Sequence, residues 1–120
     1  AADHKVVIQV SANDPIAHTM SINTAKNLKN LYGKDAVDVE IVVFGPGVTL
    51  LKASSSTATE VKELMTKHDV KVTVCEGTLK VIAKHNGGEA PNIVEGVAKV
   101  PEGSIHVIGL QEKGYSYIRL

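Results

Sequence analysis

Lys5-Val6-Val7-Ile8-Gln9-Val10, followed by Ser11-Ala12-Asn13 and then Asp14-Pro15, decides the fold. The opening run is almost unbroken in its apolar character and rich in β-branched side chains. That is the pattern of a strand covered on both faces, as in a parallel sheet. Asp14 supplies a helix N-cap, and Pro15 suits the first helical position, where its missing N–H costs nothing. A strand therefore feeds a helix through a short loop. The spacing predicts a helix with Ile16, Met20, Ala25, Leu28, Leu31 and Tyr32 on its core side, stopped by Gly33.

The same alternation continues along the chain. Val37-Asp38-Val39-Glu40-Ile41-Val42-Val43 is a second strand that alternates at first and then turns wholly apolar. Phe44-Gly45-Pro46-Gly47 reads as a tight turn whose glycines permit close backbone approach or positive φ, and not as a phosphate loop. A short helical turn is expected over Val48 to Lys52. Thr57-Ala58-Thr59-Glu60 matches a capping box, opening a helix with Val61, Leu64, Met65 and His68 on its core face. Val70 to Val74 form the third strand, and Thr78 is expected to cap a helix over Leu79–His85. Val97-Ala98-Lys99-Val100 is a short fourth strand. Pro101-Glu102-Gly103-Ser104 opens a helix through Ile105, Val107, Ile108, Leu110 and Gln111. Tyr115 to Leu120 is the closing strand. Five strands alternating with four helices over residues 1–120, without repeat or linker, make a single domain of the α/β class. The expected architecture is a three-layer α/β/α sandwich on a five-stranded, mostly parallel sheet.

Composition narrows the function. Lys plus Arg equals Asp plus Glu at 13 each, with no Trp, one Phe and three Tyr, so there is neither a basic field nor an aromatic platform for nucleic acid. No apolar run approaches the roughly 20 residues of a membrane span. His4, His18, His68, His85 and His106 show no metal-ligand spacing, and each reads as a surface or helix-end residue; no metal or cofactor is expected. Ala1-Ala2-Asp3 resembles what leader cleavage leaves behind, which favours an exported, periplasmic location over a cytoplasmic one; methionine removal or trimming gives the same start.

Cys75 is the single cysteine, so no intrachain disulfide and no multi-cysteine metal site can form. It sits where the third strand gives way to Glu76-Gly77-Thr78 and a helix. A thiol there lies beside backbone N–H groups that lack helical partners, and those donors favour the thiolate. In an open α/β sheet this edge is also where ligands bind. The alternative is a packed core thiol, since free cysteine is among the most buried residue types. The Glu76 carboxylate opposes ionisation and the helix amides support it; the balance is expected to lower the thiol pKa modestly, and Glu76→Gln to lower it further.

The order of several segments resembles the DsrE/DsrF-like (YchN-like) sulfur-relay family. They are Lys5 to Ser11 with Asn13-Asp14-Pro15, Asn23-Thr24-Ala25-Lys26-Asn27-Leu28, Phe44-Gly45-Pro46-Gly47, Cys75, and Gly114-Tyr115-Ser116-Tyr117-Ile118-Arg119. The resemblance implies a homotrimer or homohexamer in which Cys75 accepts sulfane sulfur as a persulfide and passes it to a partner. The sulfur donors and acceptors would be proteins or small sulfur compounds. Such a protein is a carrier more than a turnover enzyme, because no second cysteine is present to resolve the persulfide. Asn13, Gly45, Gly47, Gly77 and Thr78 are the candidate residues around the bound sulfur. Apolar residues around the last helix, Ile105, Val107, Ile108 and Leu110, exceed one core-facing stripe and point to assembly. Two other classes compete: a non-catalytic oligomeric interaction protein, and a small-anion binder of the same fold. No GxGxxG follows the first strand, so a dinucleotide is not expected.

Overall fold

All strands run parallel, in the order β4-β3-β2-β1-β5, in a computed structural model that describes residues 2–120. The strands are β1 (His4–Val10), β2 (Val37–Val43), β3 (Lys71–Cys75), β4 (Ala98–Val100) and β5 (Ser116–Arg119). The helices are α1 (Pro15–Tyr32), α2 (Ala58–Lys67), α3 (Glu76–His85) and α4 (Gly103–Glu112), with a 3₁₀ helix over Gly45–Leu51. The expected α/β three-layer sandwich is therefore the observed one, and the sheet is parallel throughout. Ala1, on which part of the leader-cleavage expectation rests, lies outside the described residues.

Parallel register puts paired residues on one face, so the two faces can be read from the pairing. One face presents Ile8, Ile41 and Val72 in a row, and Val10, Val43 and Val74 in the next. Ile22 and Ala25 of α1, Val61 and Leu64 of α2, Leu79 of α3, and Leu50 and Leu51 of the 3₁₀ helix close over it. Burying each such aliphatic side chain contributes roughly 1.5–3 kcal/mol, which makes this the main source of stability. The opposite face is covered by α4, which crosses back over β3, β2 and β1 and packs Val107 and Leu110 on Val7 and Val42.

Helix α1 starts as expected: the Asp14 carboxylate accepts the N–H groups of Ile16 at 2.9 Å and Ala17 at 3.3 Å. It ends at Gly33, whose φ of +96° suits glycine. Its buried stripe differs from the expected one. His18, Ser21, Ile22, Ala25 and Lys29 face inward, while Ile16, Met20, Leu31 and Tyr32 are exposed. The three polar members are tolerated because each reaches a backbone carbonyl: His18 that of Ala12, Ser21 that of Ala17, and Lys29 those of Lys34 and Val37. His18 is thus a buried structural residue, not a surface one.

Local corrections follow from competing hydrogen bonds. The Thr57 hydroxyl caps nothing, because it bonds the Leu50 carbonyl and the Ser55 hydroxyl instead. On α2, Val61 and Leu64 are buried, whereas His68 is only half-buried. The 3₁₀ helix begins three residues before the expected Val48. Helix α3 also starts earlier than Leu79, because Cys75 rather than Thr78 is its N-cap.

Candidate functional site

Cys75 is the last residue of β3 and the N-cap of α3 at once. Its pairing with Val100 places β4 alongside, so the β4-to-α4 turn lies next to the thiol. The Thr78 N–H donates to Sγ at 3.4 Å, and the thiol donates to the Pro101 carbonyl at 3.9 Å. The same carbonyl accepts the Gly77 N–H at 3.3 Å, which ties the two turns together. Cys75 is only 5 % exposed.

Burial pushes the Cys75 thiol up. The Thr78 hydroxyl and the backbone N–H groups of Gly103, Thr78 and Gly77 outweigh it, and the thiol sits below its ordinary value. Those donors come from the first turns of two different helices, α3 and α4. The Thr78 hydroxyl accepts the Gly45 N–H at 2.9 Å, leaving its own hydrogen free for the sulfur. The 3₁₀ helix, α3 and α4 thus start at one place, around one sulfur atom.

Above the thiol opens a cleft of about 730 Å³, within the roughly 300–1,000 Å³ of small-ligand sites. Phe44, Pro46, Val81 and Ile82 give it apolar walls, and Glu102 and Ser104 supply polar groups from the start of α4. Gly77 keeps the cleft open. A Cβ there would lie 3.2 Å from the Glu102 carboxylate and 3.5 Å from Sγ.

Of the expected site residues, Cys75, Gly45, Gly77 and Thr78 come together in this cleft, while Asn13 and Gly47 do not line it. Asn13 accepts the Thr49 hydroxyl at 2.9 Å and is exposed. Gly47 is buried where a Cβ would stand 2.2 Å from the Val10 carbonyl oxygen, so only glycine lets the 3₁₀ helix approach β1. Glu76 lines a different recess, with Lys80 and Lys99, and does not appear among the groups that shift the thiol. Glu102 and Gly103 were not legible as site residues. Pro101-Glu102-Gly103 is a strand-to-helix turn of the same kind as that after Cys75, but only the β3–β4 pairing reveals that the two are neighbours.

A further recess of about 230 Å³ lies between β1 and β5, lined by Ser11, Ala12, Asp14 and Arg119. The chain's direction across the sheet reverses there, the usual ligand crevice of an open parallel sheet. Asp14 already occupies the amides of the α1 start, and Ser21, which also lines the recess, donates its hydroxyl to the Ala17 carbonyl. Among the described residues no group of three His, Cys, Asp or Glu side chains is placed to hold a metal ion.

A parallel five-stranded sandwich carrying one helix-capped thiol at its C-terminal edge defines the class of this molecule. No protein-family model matches the chain, and no curated protein does. Solved structures do match. A protein of unknown function from Methanobacterium thermoautotrophicum superposes with a TM-score of 0.84 at 28% identity, covering 98% of this chain and 100% of that one. The YchN protein of E. coli superposes with a TM-score of 0.69 at 13% identity, covering 98% and 99%. A conserved protein of unknown function from Bacteroides thetaiotaomicron gives 0.69 at 17% identity, covering 98% and 96%. The chain has the YchN-like fold.

Proposed function

We propose that this protein is a sulfane-sulfur carrier in which Cys75 takes up sulfur as a persulfide and hands it to a partner. The observation that carries this reading is the convergence of two helix N-termini on a single, deeply seated thiol held below its ordinary pKa at the floor of a cleft. The thiolate is the attacking form in sulfur exchange. Cys75–S⁻ attacks the outer sulfur of a donor persulfide R–S–SH. The donor S–S bond breaks, its electron pair leaves with R–S⁻, and Cys75–S–SH is formed. Delivery is the same step in reverse, toward an acceptor thiolate. No oxidant or reductant is consumed. The amides that favour the thiolate also favour the terminal sulfur anion of the product, and apolar walls keep oxidants and stray thiols away from it.

A homo-oligomer, a trimer or a pair of trimers, belongs to the same reading. Val107 and Leu110 of α4 are buried inside the chain, while Ile105 and Ile108 on the same helix are 63% and 52% exposed, which supports a covering subunit. Light scattering at micromolar concentration is expected to give a multiple of the chain mass, and a monomer contradicts it.

The decisive experiment is intact-mass spectrometry after incubation with polysulfide or thiosulfate. Wild type is expected to gain the mass of sulfur and Cys75→Ser to gain none, with fold and assembly unchanged. If wild type gains nothing, or the serine variant still does, the carrier reading fails. The interaction or anion-binding role of the same fold then takes its place.

A further inference from the structure

Among the described residues Glu40 is the one buried carboxylate of the sheet, and the sulfur-carrier chemistry makes no direct use of it. It sits on β2, on the face that α4 covers; across the register it pairs with Val7 of β1 and with the exposed Lys71 of β3, and Val107 and Leu110 of α4 pack on the same face. A single oxygen, Oε2, takes two bonds: one from the Thr73 hydroxyl at 3.1 Å and one from His106 Nε2 at 2.6 Å. Thr73 belongs to β3, two residues before Cys75 and on the same face. His106 belongs to α4, and its backbone N–H bonds the Glu102 carbonyl at 3.0 Å, closing the first turn of that helix. The oxygen therefore joins the strand that carries the thiol to the helix turn that donates to it.

Stability does not account for this choice. A buried carboxylate must be desolvated, and replacing such a polar cluster by packed apolar residues is often neutral or stabilising. What the cluster adds is registration. Helix α4 has no side-chain N-cap bond, and its apolar contacts with Val7 and Val42 can be satisfied by small slides along the sheet. A short, directional bond to His106 removes that freedom next to the turn whose Pro101 carbonyl meets the thiol.

We infer that Glu40, Thr73 and His106 are positioning residues of the Cys75 site, a clamp that fixes the first turn of α4, and the Pro101 carbonyl just before it that the thiol and the Gly77 N–H both meet, against the end of β3. This role presupposes that Cys75 is the working group, but not that sulfur is its cargo.

The test reads thiol ionisation, through the rate of Cys75 alkylation by iodoacetamide as a function of pH. His106→Leu breaks the clamp and is expected to move the alkylation midpoint upward, slowing the neutral-pH rate by about three- to tenfold as the thiolate fraction falls. His106→Gln, whose amide can still donate to Glu40, is expected to restore most of the rate. Thr73→Val removes one bond and no charge, and is expected to shift the midpoint in the same direction, whereas Thr73→Ser keeps it. A wild-type pH profile in folded Thr73→Val or His106→Leu overturns the inference, as does failure of His106→Gln to recover. Loss of global stability alone does not produce this pattern. Absence of sulfur loading in wild type would sink the carrier reading and leave these profiles unaffected.

Discussion

The two faces of the sheet are built on different principles. One is sealed by α1, α2, α3 and the 3₁₀ helix over a continuous aliphatic layer, with Ile8, Ile41, Leu50 and Leu64 fully buried. The other is covered by α4, with four buried aliphatic residues and a Glu40–Thr73–His106 cluster in their midst. Cys75 pairs with Val100 on the second face. The first face supplies most of the stability, and the polar groups of α1 buried beside it, His18, Ser21 and Lys29, bond backbone carbonyls. The second gives up apolar burial for directional bonds, and Cys75 stands there.

The sharpest way to break this division is Leu64→Ala. It removes a fully buried side chain from the aliphatic face and is expected to cost about 2–5 kcal/mol in urea unfolding. The alkylation profile of Cys75 should nevertheless stay at wild type; a shift would show that the faces are coupled.

Gly103→Ala attacks the other face. The new Cβ would stand 2.9 Å from Phe44 Cβ, so α4 must move away from the cleft. An unfolding cost of about 1–3 kcal/mol is expected, typical of overpacking. Here slower alkylation should accompany the loss, because the Gly103 N–H moves with the helix.

A smaller effect separates thiol from thiolate in stability. The folded pKa of Cys75 is lowered, so its contribution is fully present above the unfolded thiol value of about 8.5. It is lost as pH falls through the folded value. The stability of wild type relative to Cys75→Ser should therefore rise between neutral pH and about pH 9. A flat difference in urea midpoint would mean that the thiolate is not favoured by its surroundings.

The smallest expected effect is none. Glu76 faces the recess of Lys80 and Lys99, so Glu76→Gln should leave the alkylation profile unchanged, against the expectation drawn from its place beside Cys75 in the chain.

That last point shows what the sequence can and cannot convey. β2 was legible to its boundaries, Val37–Val43, and so was the start of α1 at Asp14-Pro15, because both depend on local pattern and capping. The inward stripe of α1 was not legible. His18, Ser21 and Lys29 count as polar in any periodicity, yet each is satisfied by a carbonyl that only the folded loops bring near. Glu40 misled in the same way: alternation with Val39 and Ile41 makes it look solvated, and only the crossing of α4 buries it. In the site, Cys75, Gly77 and Thr78 form one local turn and could be read together. Gly103 and Glu102 come from a segment distant in sequence, and strand order decides that they are neighbours.

The path of α4 also sets a sequence of events. It connects β4, at one edge of the sheet, to β5, which pairs with β1 at the other. The second face therefore closes only after nearly the whole chain has been made, through contacts far apart in sequence, which form slowly. Until then Cys75 has the amides of its own helix but not that of Gly103. The surroundings that favour the thiolate are thus complete only when the last helix has docked, and a chain lacking α4 keeps only the donors of the turn after Cys75.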